Sequence, residues 1–148
     1  MLLTGAFVRA VDEKLRIAIP KPLREALGAA GSGVWYVTPG TDGSLALYTE
    51  GALARLADRL AQSSPNAQDV RAFSRLFYAR AQSVELDGQG RVRIPPELAR
   101  LAGLNKEAVL VGVQDHLELW DQSRWEQYVA QKQSQYDQLA EDAFGKSD

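Results

Sequence analysis

A chain of 148 residues is enough for one ordinary domain or two very small ones, and 24% charged with 45% hydrophobic residues is a globular composition that argues against wholesale disorder. The formal net charge of −2 hides a polarity: residues 1–24 set Arg9, Lys14, Arg16, Lys21 and Arg24 against Asp12 and Glu13, whereas residues 114–148 hold eight acids against three bases. The lack of cysteine excludes disulfides, thiolate metal sites and cysteine nucleophiles; no apolar run approaches the roughly 20 residues of a membrane span, and MLLTGAFVRAVDEK has no basic region of a signal peptide, so the expected compartment is the cytoplasm.

GAFVRAVD (5–12) alternates like a strand and leads into DEKLRIAIPKPL (12–23). KPLREALG (21–28) then reads as a short helix, with proline in its first turn and glycine at its end. VWYVT (34–38) is apolar enough for a buried strand, PGTDGS is a turn, and LALY (45–48) is a second strand of the same hairpin. Thr49 suits a helix N-cap, followed by Leu53, Leu56, Ala57 and Leu60 at helical spacing. SSPN (63–66) breaks the chain, and a further helix carries Val70, Phe73, Leu76 and Phe77.

The same order then recurs. RAQSVELD leads into DGQGRVRIPPEL (87–98), PELARLAG (96–103) repeats the short helix, and AVLVGV (108–113) with LELW (117–120) repeats the hairpin across the shorter turn QDH. A three-residue insertion in the first hairpin turn would reconcile the two registers. Asp121 is the equivalent cap, and Trp125, Tyr128, Val129, Lys132, Tyr136, Leu139 and Ala143 fall on one face of the last helix. The chain therefore reads as a tandem duplication: a first module over 3–62, a linker helix over 63–79, a second module with its C-terminal helix over 80–143, and a tail over 144–148. About 50 residues and four short strands per half cannot bury a sufficient core or hide their edges alone. The expected fold is α+β, with both halves interleaved about a pseudo-two-fold axis in one β-core.

The residues GAFVRAVDEKLRIAIPKPLREALG are similar to the N-terminal module of the AbrB-type swapped-hairpin DNA-binding proteins. Two such modules ending in LELWDQSRWEQYV resemble the MraZ family, over about Leu3 to Tyr136. The repeated D-x-x-x-R, each copy followed by a strand and I-P, is the specific part of that likeness. The resemblance implies two tandem AbrB-like β-α-β modules and a cytoplasmic, nucleoid-associated transcription factor, usually a repressor. It also implies a ring-like homo-oligomer that binds short direct repeats in double-stranded DNA upstream of its own operon, in the division and cell-wall gene cluster. The DNA-contacting positions of the pattern fall on Arg9, Arg16 and Arg24, with Lys14 at the basic position of the turn. One departure stands out: the glycine preceding the motif's arginine is kept as Gly90 in the second copy but is Leu15 in the first. Leucine resists a turn that needs positive φ, so either the first turn has another backbone or Leu15 uses its side chain in an interface.

Lysine and arginine displace counterions from phosphates, and the arginine fork can grip a guanine edge in the major groove, which admits a two-stranded ribbon. Arg9, Lys14 and Arg16 flank the first strand–turn–strand and are the expected ribbon contacts, with Arg24 as a phosphate clamp on the helix beside it. Asp12 and Asp87 would be repelled by DNA; their expected role is to close turns through backbone N–H groups and to hold the arginine four residues on. Arg80, Arg91 and Arg93 in the second copy lose much of their charge to Glu85, Asp87 and Glu97, so the first copy is expected to read DNA and the second mainly to build core and ring contacts. Trp35, Trp120, Trp125, Tyr128 and Tyr136 suit core or a subunit interface.

Catalysis is not expected. His116 is the single histidine and lies in a turn, no metal constellation accompanies it, and the phosphate-binding and nucleophile-elbow glycine motifs are missing. No cofactor, metal, membrane or small-molecule substrate is implied. The alternative from another class is a protein-assembly or antitoxin-like adaptor whose basic face is incidental, with the acidic tail wrapping a basic partner.

Overall fold

The repeat of Asp12 at Asp87 becomes a rotation in three dimensions. The computed structural model describes residues 2–27 and 34–145. The first half runs β1 (Ala6–Ala10), β2 (Arg16–Ala18), α1 (Lys21–Leu27), β3 (Val34–Pro39), β4 (Leu45–Thr49) and α2 (Glu50–Ala61). After α3 (Gln68–Arg80) the order recurs as β5 (Gln82–Glu85), β6 (Arg91–Arg93), α4 (Pro96–Leu101), β7 (Glu107–Val113), β8 (His116–Asp121) and α5 (Gln122–Lys132). A 3₁₀ turn over Gln133–Gln135 then leads to α6 (Tyr136–Gly145). The class is α+β.

A six-stranded antiparallel sheet has the order β1-β7-β8-β4-β3-β5, and β2 pairs separately with β6. Exchanging the halves turns each order into its own reverse, which is the mark of a pseudo-two-fold axis. Each half lends its first strand to the other: β1 pairs with β7 and β5 pairs with β3. At the centre, β4 meets β8 with Leu45 opposite Leu119 and Leu47 opposite Leu117, on either side of the Ala46–Glu118 pair. In the small ribbon Ile17 lies opposite Val92. The exchange covers edges that either half alone would expose.

One hydrophobic cluster joins the two layers. It gathers Ile17, Ile19, Val92 and Ile94 from the ribbon and its exits, Leu23 and Leu98 from the short helices, and Trp35, Val37, Leu110 and Leu117 from the large sheet. Trp35 is thus a core residue. Alternation on a three-residue strand buries Ile17 and Val92 and turns their neighbours outward, so the core itself aims the charged side chains. A smaller cluster of Ala46, Tyr48, Ala52 and Phe77 seats α2 and α3 on the opposite face of β4. Thr49 caps α2 by accepting the Ala52 N–H at 3.2 Å, and Asp121 caps α5 by accepting from Arg124 at 3.4 Å.

Three details depart from the sequence reading. Phe7 pairs with Leu110 while its repeat-equivalent Gln82 pairs with Val37, so Val37 corresponds to Leu110. On that alignment the first hairpin, closed by Pro39 and Leu45, is one residue longer than the second, closed by Gly112 and Leu117; the other two extra residues lie between α1 and β3. Second, the C-terminal helix is broken by the 3₁₀ turn, so Trp125 and Tyr136 sit on different helices. Third, the two-stranded ribbon is β2 with β6 across the halves, and β1 belongs to the large sheet. The helix-capping expectation for Gly28 and the last three residues lie outside the described residues.

Candidate nucleic-acid interface

The two D-x-x-x-R stretches form the same self-closing turn. In the first, Asp12 Oδ1 accepts the backbone N–H of Lys14 at 2.9 Å and of Arg16 at 2.8 Å, and Oδ2 accepts Arg16 Nε at 2.7 Å. In the second, Asp87 Oδ1 accepts from Gln89 at 2.8 Å and Arg91 at 2.9 Å, and Oδ2 accepts Arg91 Nε at 2.8 Å. The backbone closes each loop as well, Leu15 N–H donating to the Asp12 carbonyl and Gly90 N–H to that of Asp87, both at 3.0 Å. Spacing explains the motif: three intervening residues complete one tight turn, and the carboxylate at its start reaches both the amide and the Nε at its end. Binding at Nε leaves the outer fork of each arginine, Nη1 and Nη2, without a protein partner among the described residues.

The backbone N–H of Arg16 and Arg91 is the chief cause holding the Asp12 and Asp87 carboxyls below the ordinary aspartate value of 3.8, reinforced by the arginine side chains. A carboxyl whose folded value is depressed stabilises the fold fully above its unfolded value and loses that contribution as pH falls through the folded value. The turns should therefore loosen only below about pH 4. Urea midpoints measured from pH 6 down to pH 2.5 should show a fall in this acid limb that is shallower in Asp12→Asn/Asp87→Asn, which has already lost the ionised form. An unchanged acid limb would mean these carboxylates do not couple to folding.

Leu15 adopts φ +61 and Gly90 φ +74, so both turns share the left-handed conformation and the first does not escape it by a different backbone. Leucine tolerates this at a cost of roughly 1–2 kcal/mol, offset in part because its side chain packs against the main core. The bare Gly90 serves another purpose. The Arg24 guanidinium lies over it, with Cζ only 3.0 Å from where a Cβ would stand, while Arg24 Nε donates to the Ile19 carbonyl at 3.0 Å. In the rotated position the pair is Ala99 and Leu15, so the two deviations from the repeat belong together. Gly90→Ala should cost about 1–2 kcal/mol from the backbone alone and lower Tm by a few degrees. Adding Arg24→Ala should recover only the steric share, a result that a thermal double-mutant cycle would read.

On the outward face of the ribbon, Arg16 stands opposite Arg93 and Ala18 opposite Arg91. Like charges directly opposite on paired strands repel, an effect that Asp12 on Arg16 offsets only from the turn side. Lys14 projects from the exposed first turn, and Arg24 borders the second. The structure thus collects Lys14, Arg16, Arg24, Arg91 and Arg93 around two strands. Arg9 is apart, on the edge strand β1, with its guanidinium 5.9 Å from the Phe7 ring centre and Nη1 donating to the Val8 carbonyl at 2.8 Å. The link from Arg24 to Gly90 is the feature sequence reasoning missed; its only signal was that both positions break the repeat.

Elsewhere, His116 pairs with Asp115 at 2.8 Å and stacks on Tyr48. Trp120 is buried and packs with Trp125 and Tyr128. No metal-holding cluster occurs among the described residues, and no helix among them is long and apolar enough to cross a membrane.

A family model described as "MraZ protein, putative antitoxin-like" matches residues 77–147. The transcriptional regulator MraZ of Thermomicrobium roseum is 43% identical to this chain over 121 residues, 82% of each protein. That of Lactiplantibacillus plantarum is 40% identical over 137 residues, 93% of this chain and 94% of its own. That of Moorella thermoacetica is 38% identical over 137 residues, 93% of each.

Proposed function

This chain belongs to the MraZ family, and from that premise we propose that it is a transcriptional regulator whose β2–β6 ribbon enters the major groove of double-stranded DNA. The observation that carries the reading is the pair of carboxylate-braced arginines on one antiparallel ribbon, facing outward with their forks unspent. Asp12 meets Arg16 only at Nε, and a polyanion would supply the counter-charge that the outer forks of Arg16 and Arg91 and the whole of Arg93 still lack among the described residues. Arg16, Arg91 and Arg93 supply donors to base edges or phosphates, Lys14 and Arg24 to flanking phosphates, and Arg9 is an outlying contact. Asp12 and Asp87 position the forks and do not touch DNA.

The expected division of labour between the halves is replaced here by a joint role. Arg91 is braced as Arg16 is, and the two belong to one ribbon, so both halves read DNA. The resemblance supports the rest of the proposal: a repressor of the division and cell-wall gene cluster, acting at the nucleoid in the cytoplasm on short direct repeats upstream of its own operon. A ring-like homo-oligomer would present several ribbons, and effective concentration would turn individually weak contacts into useful affinity. No cofactor, catalytic group or small-molecule substrate enters this reading.

Fluorescence anisotropy of the wild-type protein against a labelled upstream fragment of its operon and a scrambled control, at two salt concentrations, tests it. Selective binding that weakens steeply with salt is expected. Equal, weak binding to both fragments would favour the second reading, an antitoxin-like or assembly adaptor. That reading has in its favour the acidic α6 and the wording of the matched family model.

A further inference from the structure

The ribbon inherits the pseudo-two-fold of the fold, and that symmetry raises a difficulty. Rotation about the axis at Ile17 and Val92 exchanges Arg16 with Arg91 and Ala18 with Arg93. Duplex DNA has local two-folds of its own, so a ribbon with equal ends would settle on one site in either of two opposite directions. Direction has to come from side chains that break the repeat. Lys14, Glu13 and Arg24 do so at the rim, where their equivalents are Gln89, Gly88 and Ala99. Glu13 cancels the charge of the adjacent Lys14, and Arg24 is tied through Nε to the Ile19 carbonyl at 3.0 Å above the second turn. Phosphate contacts from such positions fix placement and carry no base information. Asp12 and Asp87 are equivalent and brace equivalent arginines, and Glu97 lies with Arg80 and Arg100 around a separate depression beside α4.

One break falls on the outward positions of the strands themselves. Arg93 is exposed and makes no hydrogen bond or ion pair among the described residues, whereas its equivalent Ala18, also exposed, offers only a methyl group. At one end of the ribbon Arg93 faces Arg16, two guanidinium forks side by side; at the other Ala18 faces Arg91, one fork beside a methyl. Net charge does not separate the ends: Lys14, Arg16 and Arg93 stand against Asp12 and Glu13, and Arg24 and Arg91 against Asp87. The ends differ in how many forks they present. Two residues along a strand advance roughly 6.6 Å, about two base-pair steps of roughly 3.4 Å, so the ends address different base pairs.

We propose that Arg93 sets the direction in which the ribbon reads DNA. The Arg16–Arg93 end takes the side of the site richer in guanine O6 and N7 acceptors. The Ala18–Arg91 end takes the side with one such guanine and an apolar neighbour such as a thymine methyl. This rests on the DNA-reading part of the proposed function and adds the residue that chooses between two orientations.

Directed cleavage of a DNA fragment trimmed by footprinting to a single bound repeat tests it, because the chain has no cysteine and one can be placed at will. Gly88→Cys suits this: it lies in the second turn, and a side chain there meets nothing within 4 Å. With an iron–EDTA reagent on that thiol and saturating protein, strand cleavage should favour one flank of the repeat by about tenfold. Adding Arg93→Ala makes the outward positions equivalent, so cleavage should become near-equal on both flanks while affinity falls about tenfold. Adding Ala18→Arg together with Arg93→Ala should instead move cleavage to the opposite flank. All three substituted positions are exposed, so an unchanged Tm serves as the folding control. Cleavage that stays on one flank in all three proteins would assign direction to another residue, and even cleavage from the start would mean that the ribbon has none. Either result overturns the role of Arg93 and leaves the ribbon as the reader. Selective binding with no cleavage near the repeat would place the second turn away from DNA and remove the ribbon reading itself.

Discussion

Arg16→Ala is expected to weaken binding to the upstream fragment by about 10- to 100-fold, and Arg91→Ala by a similar factor, with Tm little changed. The magnitude follows from one lost fork-to-base or fork-to-phosphate contact, roughly 1–3 kcal/mol, with about 1.4 kcal/mol per tenfold. The near-equality of the two follows from geometry. Asp12 Oδ2 grips Arg16 Nε at 2.7 Å and Asp87 Oδ2 grips Arg91 Nε at 2.8 Å, so both guanidiniums are held through Nε in the same way. Lysine would restore the charge without the planar fork or the Nε contact; Arg16→Lys should therefore recover only a minor part of the loss. Anisotropy titrations at fixed salt, with far-ultraviolet dichroism as the folding control, measure all three. A large loss for Arg16 beside an unaffected Arg91 would return the halves to separate roles.

Ile17→Ala should produce the largest change in stability, about 2–5 kcal/mol, equivalent to a fall in Tm of roughly 10 °C. Ile17 is wholly buried and lies opposite Val92 on the pseudo-two-fold axis, so its side chain meets both halves at the point where the ribbon joins the core. A cavity there cannot be filled by one half relaxing without shifting the other. The same substitution should also loosen the ribbon, so DNA affinity should fall more steeply with temperature than in the wild type. Denaturant unfolding yields the first effect and van't Hoff analysis of binding the second. A loss below about 1 kcal/mol would mean that the ribbon is not anchored through this residue.

Much of this architecture was legible before any coordinates, because duplication is written twice in the residues. D-x-x-x-R-x-x-I-P at Asp12 and Asp87, the paired short helices and the paired hairpins state the topology of one half, and edge exposure makes interleaving the sensible way to join two. What periodicity could not reveal was pairing between distant segments. Alternation in GAFVRAVD shows a strand, but nothing local tells β1 to lie beside β7, or β2 beside β6. Sequence order alone places the ribbon within one half and groups Arg9 with Arg16, whereas the two lie on different sheets. Leu15 illustrates the limit of propensity: a leucine that should avoid φ > 0 is held at +61 by the turn's hydrogen bonds and by core packing. The Arg24–Gly90 contact was invisible for the same reason, since it joins opposite halves.

Hydrogen–deuterium exchange of the full chain with and without the upstream fragment tests the central claim most directly, because it locates the ribbon's contact without altering any side chain. Protection on DNA binding should appear together in peptides covering residues 12–18 and 87–93, and be weak or missing on α2 and α6. Protection confined to the first segment, or centred on the α3–α4 surface with both turns unchanged, would contradict a DNA-reading ribbon built jointly by the two halves.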